Sequence, residues 1–215
     1  LNLAGIEVNG VVRGDWVIDP ALHAPARRLD ARLSLLGSEA KPLKHWTPVH
    51  LHHGAQDVLA RVAIRHGRTL APGDSGLVQL VLEAPVAALH GDRFILRDQS
   101  ALRTLGGGQV IDPAAPLRRR DPEARAAQLA ALELAAPEDA LRALVAATPA
   151  GVDLAWFRRI HNLGEDRVAA LASRLGLTVL GKAPAVALAR ASVEALQARA
   201  LAALEALCVR EGLQQ

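Results

Sequence analysis

A phosphate-binding loop is the first chemistry that the sequence suggests, because Gly176 to Lys182, GLTVLGK, has the spacing G-x-x-x-x-G-K. In such loops backbone amides hold phosphates, and a hydroxyl after the lysine holds magnesium. Here Ala183 replaces that hydroxyl, and the segment follows a predicted helix and runs into Pro184. These features favour a β hairpin, the wing of a winged helix. We expect no nucleotide binding by this chain.

Histidines cluster in one predicted strand, which raises the question of a metal site. His50 and His52 share a strand face with Asp57 nearby, and His45 and His53 lie close in sequence. Imidazole and carboxylate groups are common ligands of zinc and non-haem iron. However, histidines two positions apart recur on ordinary strands, and no later histidine-rich segment completes a ligand set. We expect no bound metal.

Covalent catalysis is not indicated either. Ser75 and Ser100 lie outside any G-x-S-x-G context, and Cys208 falls on the flank of a predicted helix. A single cysteine excludes an internal disulfide and a four-cysteine zinc site, and it fits a reducing cytoplasm. No apolar run reaches the ~18 residues of a membrane helix. The sequence predicts a non-enzymatic chain without catalytic residues.

Basic residues remain, and their chemistry would be phosphate binding. The chain has 25 Lys and Arg against 22 Asp and Glu, a net charge of +3, which permits a nucleic-acid partner without demonstrating one. Arg167 and Arg174 lie on the flank of a predicted helix whose buried face carries Val168 and Leu171. They are possible secondary nucleic-acid contacts. A solvated helix surface is the alternative that we favour for so few charges.

The elements that would position such groups are β strands before Pro113. Polar and apolar residues alternate in about six short segments separated by turn signals, a pattern typical of a small antiparallel barrel. The last two segments lie in Gly91 to Pro113, GDRFILRDQSALRTLGGGQVIDP. Arginines alternate there with apolar residues from Arg93 to Arg97, which predicts a half-buried strand. Three glycines from Gly106 permit positive φ or close approach to another surface.

Beyond Pro113 the sequence predicts helices. Pro113 to Pro122 holds three prolines and three consecutive arginines, which indicates an exposed linker. Asp121 and Asp153 are suited to cap helices, and the order helix, helix, turn, helix, hairpin is that of a winged helix. A last helix is predicted from Ser192. The fold class is therefore a β barrel plus an all-α/winged-helix region.

Several motifs in order resemble the third domain of bacterial selenocysteine-specific translation elongation factors. They are GDRFILRD, RTLGGGQVID and LDARLSLLGSEAKPLKHWTPVHLHHGAQDVLARV, the last from Leu29 to Val62. The resemblance covers most of Leu29 to Pro113. It implies that 1–19 form the strand-containing tail of a second barrel domain and that 20–113 form the third-domain barrel. A linker would follow at 114–122 and a first winged-helix repeat at 123–190. Residues 191–215 would form a helix that starts a second repeat.

The resemblance also implies partners. Such a factor delivers selenocysteinyl-tRNA to the ribosome in the cytoplasm and reads an mRNA hairpin through later winged-helix repeats. The chain starts without Met, so we expect a fragment. GTP and magnesium would belong to a GTPase domain upstream of Leu1, and this part would hold no cofactor.

Residue by residue, the resemblance implies an RNA-binding surface on the barrel. One part is a turn that touches the tRNA backbone and the arginine before the glycines; the other is a basic pair in a flanking loop. The matching residues here are Arg97, Asp98, Gln99 and Arg103, with Lys44 and His45. The turn is longer here than in the general factor, which has two glycines in it. The alternative is a solvated barrel edge.

A winged-helix DNA-binding transcriptional regulator with a β-barrel sensor domain is the second function class that fits these elements. Such a regulator needs a recognition helix with side chains that read bases. Glu165 to Leu175 offers two arginines and few amides. The order of motifs from Lys41 to Asp112 favours the elongation factor.

Overall fold

The computed structural model describes residues 4, 5, 7, 10–117, 121–182 and 184–211, without the side chains of 209–211. The chain divides into two compact units. The first comprises Leu1–Arg120 and Ile160–Asn162, and the second Asp121–Arg159 and Leu163–Gln215.

The first unit is a closed antiparallel barrel. Its strands are β1 Ala26–Leu35, β2 Leu43–Lys44, β3 Thr47–His53, β4 Gln56–Ile64, β5 Thr69–Leu70, β6 Ser75–Val86, β7 Arg93–Arg97 and β8 Thr104–Asp112. In the described part of the chain, six of them close in the order β1-β6-β4-β3-β7-β8, while β2 and β5 form a two-stranded ribbon. The prediction of a small barrel of about six strands is confirmed.

The alternation in β1 explains why the barrel has a packed interior. Leu29, Ala31 and Leu33 are completely buried, as the pattern predicted. Asp30 differs from the prediction, because it occupies a position on the polar face and yet is 0% exposed. Its Oδ1 accepts hydrogen bonds from Nε of Arg65 at 3.1 Å and from Nη2 of the same guanidinium.

Residues 113–117 pack against the outside of the barrel near Asp30. The Ala115 amide donates to the Arg28 carbonyl at 3.1 Å, and Nε2 of Gln79, the register partner of Asp30 on β6, donates to the Pro116 carbonyl at 3.5 Å. The chain after β8 therefore shields a polar part of the outer face from water. The three arginines of the predicted linker lie outside the described residues.

The glycines of β8 mark a close approach between strands. None of the three adopts a positive φ. A Cβ on Gly106 would collide with the Ser34 carbonyl oxygen, and a Cβ on Gly108 with the Arg32 carbonyl oxygen and, at 2.8 Å, with the Phe94 ring. Of the two uses predicted for these glycines, the structure shows the close approach.

We predicted strands in 1–19, but the described residues of this segment, 4, 5, 7 and 10–19, lie in no strand; the remaining residues of the first predicted strand are outside the described part of the chain. A strand needs a partner edge, and the closed barrel offers none. Instead, Trp16 stacks on His53 with ring centroids 5.3 Å apart. Gly54, with φ +57°, leaves room for the indole, because a Cβ there would lie 2.6 Å from it.

The second unit has the predicted order of a winged helix. Its elements are α1 Pro122–Leu132, α2 Pro137–Ala146, β9 Val152–Asp153, α3 Leu154–Ile160, α4 Glu165–Arg174, β10 Thr178–Leu180, β11 Val186–Leu188 and α5 Arg190–Glu211. Its three-stranded sheet has the order β10-β11-β9 within the described residues. The predicted fold class, a barrel followed by a winged-helix region, is confirmed.

Local signals set most of these boundaries. Oδ1 of Asp121 accepts from the amides of Glu123 and Ala124, both at 3.0 Å, and Asp153 caps α3 in the same way. Gly176 and Gly181, with φ of +61° and +79°, flank the predicted wing strand β10.

Two details of the second unit differ from the prediction. β9 was not predicted, because two residues are too short to show alternation. α5 begins at Arg190 rather than Ser192 and exposes Leu201 (60%) and Leu204 (58%). Among the described helices, none has the length and apolarity needed to cross a membrane.

Candidate nucleic-acid interface

A groove on the barrel brings together residues from two loops that are distant in sequence. One loop follows β1 and runs into β2 and β3; the other joins β7 to β8. We call this cavity of about 330 Å³ the barrel groove. Its lining residues are Leu35, Glu39, Lys41, Pro42, Leu43, Lys44, Thr47, Pro48, Asp98, Gln99, Arg103 and Leu105.

The lysines of the groove are available to a ligand. Lys41 and Lys44 are exposed, and the side chain of neither makes a hydrogen bond or an ion pair with any residue that the structure describes. Gln99, which is also exposed, adds an amide that can both donate and accept. Two ammonium groups and an amide along one groove form a surface suited to phosphate and ribose oxygens.

Arg103 is held by an acid that the sequence analysis did not select. Its Nη1 lies 3.0 Å and 2.9 Å from the two carboxylate oxygens of Glu39. The Arg103 side chain is 57% exposed and that of Glu39 is 8% exposed. The guanidinium therefore reaches solvent while one of its corners is fixed to the loop after β1.

Asp98 shapes the turn between β7 and β8. Its Oδ1 accepts from the amides of Leu102 at 2.9 Å and Arg103 at 3.1 Å. The Arg103 amide is the main reason that the pKa of the Asp98 carboxyl is lowered, and the Leu102 amide adds to it. Ala101 takes a φ of +54° in the same turn. An ionised carboxylate repels phosphate, so the geometry gives Asp98 the role of ordering the turn that carries Gln99 and Arg103.

Arg97 and His45 do not line the groove, although both support its loops. Nη2 of Arg97 donates to the Leu102 carbonyl at 3.2 Å, which ties the strand to the turn. Nδ1 of His45 accepts from the Ile64 amide at 3.1 Å, and the His45 ring stacks on Trp46. Of the six barrel residues predicted to bind RNA, the structure thus brings four into the groove and places two beside it.

Sequence reasoning missed Lys41 and Glu39 as groove residues. Lys41 precedes Lys44 by three positions in the same polar loop, so the charge pattern could have identified it. No sequence signal connects Glu39 with Arg103, because they lie on separate loops that meet only in the closed barrel.

The two arginines predicted on the winged helix have different surroundings. Nη2 of Arg174 forms an ion pair with Oε2 of Glu138 on α2 at 2.6 Å. Arg167 is exposed, and its side chain has no hydrogen bond or ion pair within the described part of the chain. Arg174 therefore links α4 to α2, and Arg167 is the arginine of the two that is open to a ligand.

The histidine cluster is divided between the surface and the interior, because His50 and His52 are partly exposed and His53 is buried. Nδ1 of His50 lies 2.8 Å from Oδ1 of Asp57, and Nε2 of His52 lies 3.9 Å from the same oxygen. Across the residues that the structure describes, no three His, Cys, Asp or Glu side chains are arranged to hold a metal ion.

A closed antiparallel barrel followed by a unit with the element order of a winged helix defines the class of this protein by its fold. The crystal structure of a bacterial selenocysteine-specific elongation factor shares this fold, with a TM-score of 0.59 and 18% identity over 88% of this chain and 28% of that chain.

The sequence comparisons give the family. Residues 30–117 match the model of the selenocysteine-specific elongation factor β-barrel domain. Selenocysteine-specific elongation factors from Desulfomicrobium baculatum, Haemophilus influenzae and Escherichia coli are 36%, 30% and 33% identical over 56%, 81% and 76% of this chain. The chain belongs to this family, through its β-barrel domain and the region that follows. It spans 19%, 28% and 25% of the length of these relatives.

Proposed function

We propose that the chain is the RNA-binding part of a selenocysteine-specific elongation factor, and that its barrel groove contacts the acceptor and T-stem side of selenocysteinyl-tRNA. The observation that supports this most is the meeting of Lys44, Gln99 and Arg103 in one groove. These residues come from two loops, and the ammonium group of Lys44 has no protein partner among the described residues.

The groove suits the backbone of an A-form helix better than a base sequence. Ammonium and guanidinium groups bind phosphate, and the Gln99 amide can bind a ribose 2′-hydroxyl, whereas base edges need side chains aimed into a groove of the helix. Lys41, Lys44 and Arg103 face the carboxylates of Glu39 and Asp98, so the lining carries one excess positive charge. We expect modest affinity and a clear dependence on salt.

The remaining partners follow from the same proposal. An mRNA hairpin would bind through later winged-helix repeats, with Arg167 and Arg174 of this unit as possible secondary contacts. The ribosome would receive the loaded factor. GTP and magnesium would bind a GTPase domain that precedes the barrel in the complete factor, and this part would act without catalysis.

We also propose the domain boundaries that the family resemblance implies. Residues 20–113 would be the third-domain barrel, 114–122 the linker and 123–190 the first winged-helix repeat. Residues 1–19 would end the second domain, and the helix in 191–215 would lead into the next repeat.

The DNA-binding regulator is less well supported. Its recognition helix would be α4, where Arg174 is engaged by Glu138 and Arg167 alone of the two arginines is open. No observation on the barrel favours a sensor function over RNA contact.

A titration of fluorescently labelled tRNA at several salt concentrations tests the site. Lys44→Ala should weaken binding by about 1–2 kcal/mol and flatten the salt slope by about one unit. Arg103→Ala should weaken binding as well, and Arg97→Ala should do so through the turn that it supports. Arg167→Ala and Arg174→Ala should have smaller effects.

Arg199→Ala on α5 is the matched control, since it removes one exposed charge outside the groove. If the winged-helix variants abolished binding and the barrel variants left it intact, the groove assignment would be wrong and the regulator would become the better proposal.

A further inference from the structure

Glu39 anchors Arg103 at one corner only. Both Glu39 oxygens contact the same nitrogen, Nη1. Nε of Arg103 forms a longer ion pair with Oδ2 of Asp98 at 4.0 Å, beyond hydrogen-bond distance, and Nη2 has no hydrogen-bond partner among the described residues. The guanidinium therefore keeps free donors on the edge away from Glu39.

This contact changes the range over which Arg103 acts. An unpaired ammonium such as that of Lys44 attracts any polyanion within the screening length, about 8 Å at physiological salt. The ion pair of a guanidinium and a carboxylate carries no net charge, so at that distance it exerts little attraction on a polyanion. The free donors of the guanidinium gain energy only from an oxygen that comes within hydrogen-bond distance. Lys41 and Lys44 thus attract a polyanion from a distance, whereas Arg103 adds binding energy only when an oxygen comes within hydrogen-bond distance of its free donors.

We propose that Glu39 is a specificity-determining residue of the barrel groove, an inference that rests on the proposed function. By neutralising Arg103 and fixing its orientation, Glu39 prevents Arg103 from attracting polyanions in general. It leaves the free edge for a phosphate or 2′-hydroxyl oxygen of an A-form RNA backbone. B-form DNA has no 2′-hydroxyl and a different phosphate spacing, so it gains less binding energy from the fixed hydrogen-bond donors of Arg103.

Glu39→Gln tests the negative charge of Glu39 separately from its hydrogen bond, because the amide oxygen of Gln can still accept a hydrogen bond from Nη1 of Arg103. Affinities for a tRNA transcript and for a DNA duplex are measured by fluorescence titration between about 50 and 200 mM salt. The variant should bind DNA about threefold more tightly at the lower salt, with a salt slope steeper by about 0.9. Binding of tRNA should improve less, so the preference for tRNA over DNA should fall. Glu39→Asp should retain the wild-type preference.

Two controls separate this effect from net charge. Glu83→Gln on β6 makes the same charge change at an exposed position outside the groove lining, and it should leave the preference unchanged. In an Arg103→Ala background, Glu39→Gln should have no effect on the preference. Arg103→Ala alone should weaken tRNA binding with little change in the salt slope, in contrast to Lys44→Ala.

The proposal is overturned if Glu39→Gln shifts tRNA and DNA binding equally, or if its effect persists without Arg103. Failure of the proposed function gives a different pattern: wild type would show no preference for tRNA over DNA, and Lys44→Ala would change neither affinity. That pattern would remove both proposals together.

Discussion

Replacing Asp30 with Ala tests the ion pair on the outside of the barrel. The side chains of Asp30 and Arg65 are 0% and 4% exposed. The substitution removes both hydrogen bonds to Arg65, whose Nη1 is already buried without a hydrogen-bond partner in the described structure. Loss of one partner from a buried ion pair costs about 3–5 kcal/mol, against a total stability of about 5–15 kcal/mol for a domain. We expect Asp30→Ala to lose a large part of the stability of the barrel.

Urea denaturation followed by circular dichroism measures this loss. Asp57→Ala is the control, because its carboxylate is 45% exposed and paired with His50 at the surface, where an ion pair contributes less than about 1 kcal/mol. Replacing Asp30 with Leu and Arg65 with Met together should recover most of the stability, since no charge is left buried. Equal losses for Asp30→Ala and Asp57→Ala would refute the reasoning.

Three further predictions concern the barrel and the wing. Gly108→Ala should destabilise the barrel by about 1–3 kcal/mol through overpacking. In the same urea titration Gly37→Ala should be nearly neutral, because the atom nearest to its new Cβ would be the Gly73 Cα at 4.0 Å. Equal losses of stability for the two variants would contradict the close approach of the strands at Gly108. Burial opposes ionisation of Asp92, but its hydrogen bonds with His53 and the Leu89 amide outweigh burial and lower its pKa. The stabilising contribution of the Asp92 carboxylate is therefore present above the unfolded pKa of about 3.9 and is lost as pH falls through the pKa of the folded state. The difference in stability between wild type and Asp92→Asn should shrink in acid. A difference independent of pH would argue against a stabilising role of the ionised carboxylate. Equilibrium dialysis with labelled GTP should show no binding, because Gly176–Lys182 runs into the wing and lacks a strand-to-helix turn; stoichiometric binding would disprove this.

The barrel could be predicted from the sequence because alternation reports burial directly. Leu29, Ala31 and Leu33 lie inside as expected, since side chains along a strand point to opposite faces. Asp30 could not be predicted as buried by the same rule. Its carboxylate is hydrogen-bonded to Arg65, 35 positions further along the chain, and this contact exists only in the tertiary structure.

In the groove, too, sequence motifs identify some residues, whereas other contacts become visible only in the tertiary structure. The family motifs identified Lys44 and Arg103, and the closed barrel brings them to one cavity. The contact between Glu39 and Arg103 joins residues that no periodicity relates. Sequence reasoning could therefore find the cations of the groove but not the acid that controls one of them.

The glycine run of β8 has a consequence for the order of folding. Leu35 pairs with Gly106 across about 70 residues of chain, and contacts at such separation form slowly because loop closure costs entropy. Glycines also lose the most backbone freedom on folding and contribute no side-chain packing to the new strand pair. We therefore expect the hairpin of β3 and β4 to form early and the seam between β1 and β8 to close last. Native-state hydrogen exchange should then show lower protection for the amides of this seam than for those of the β3–β4 hairpin.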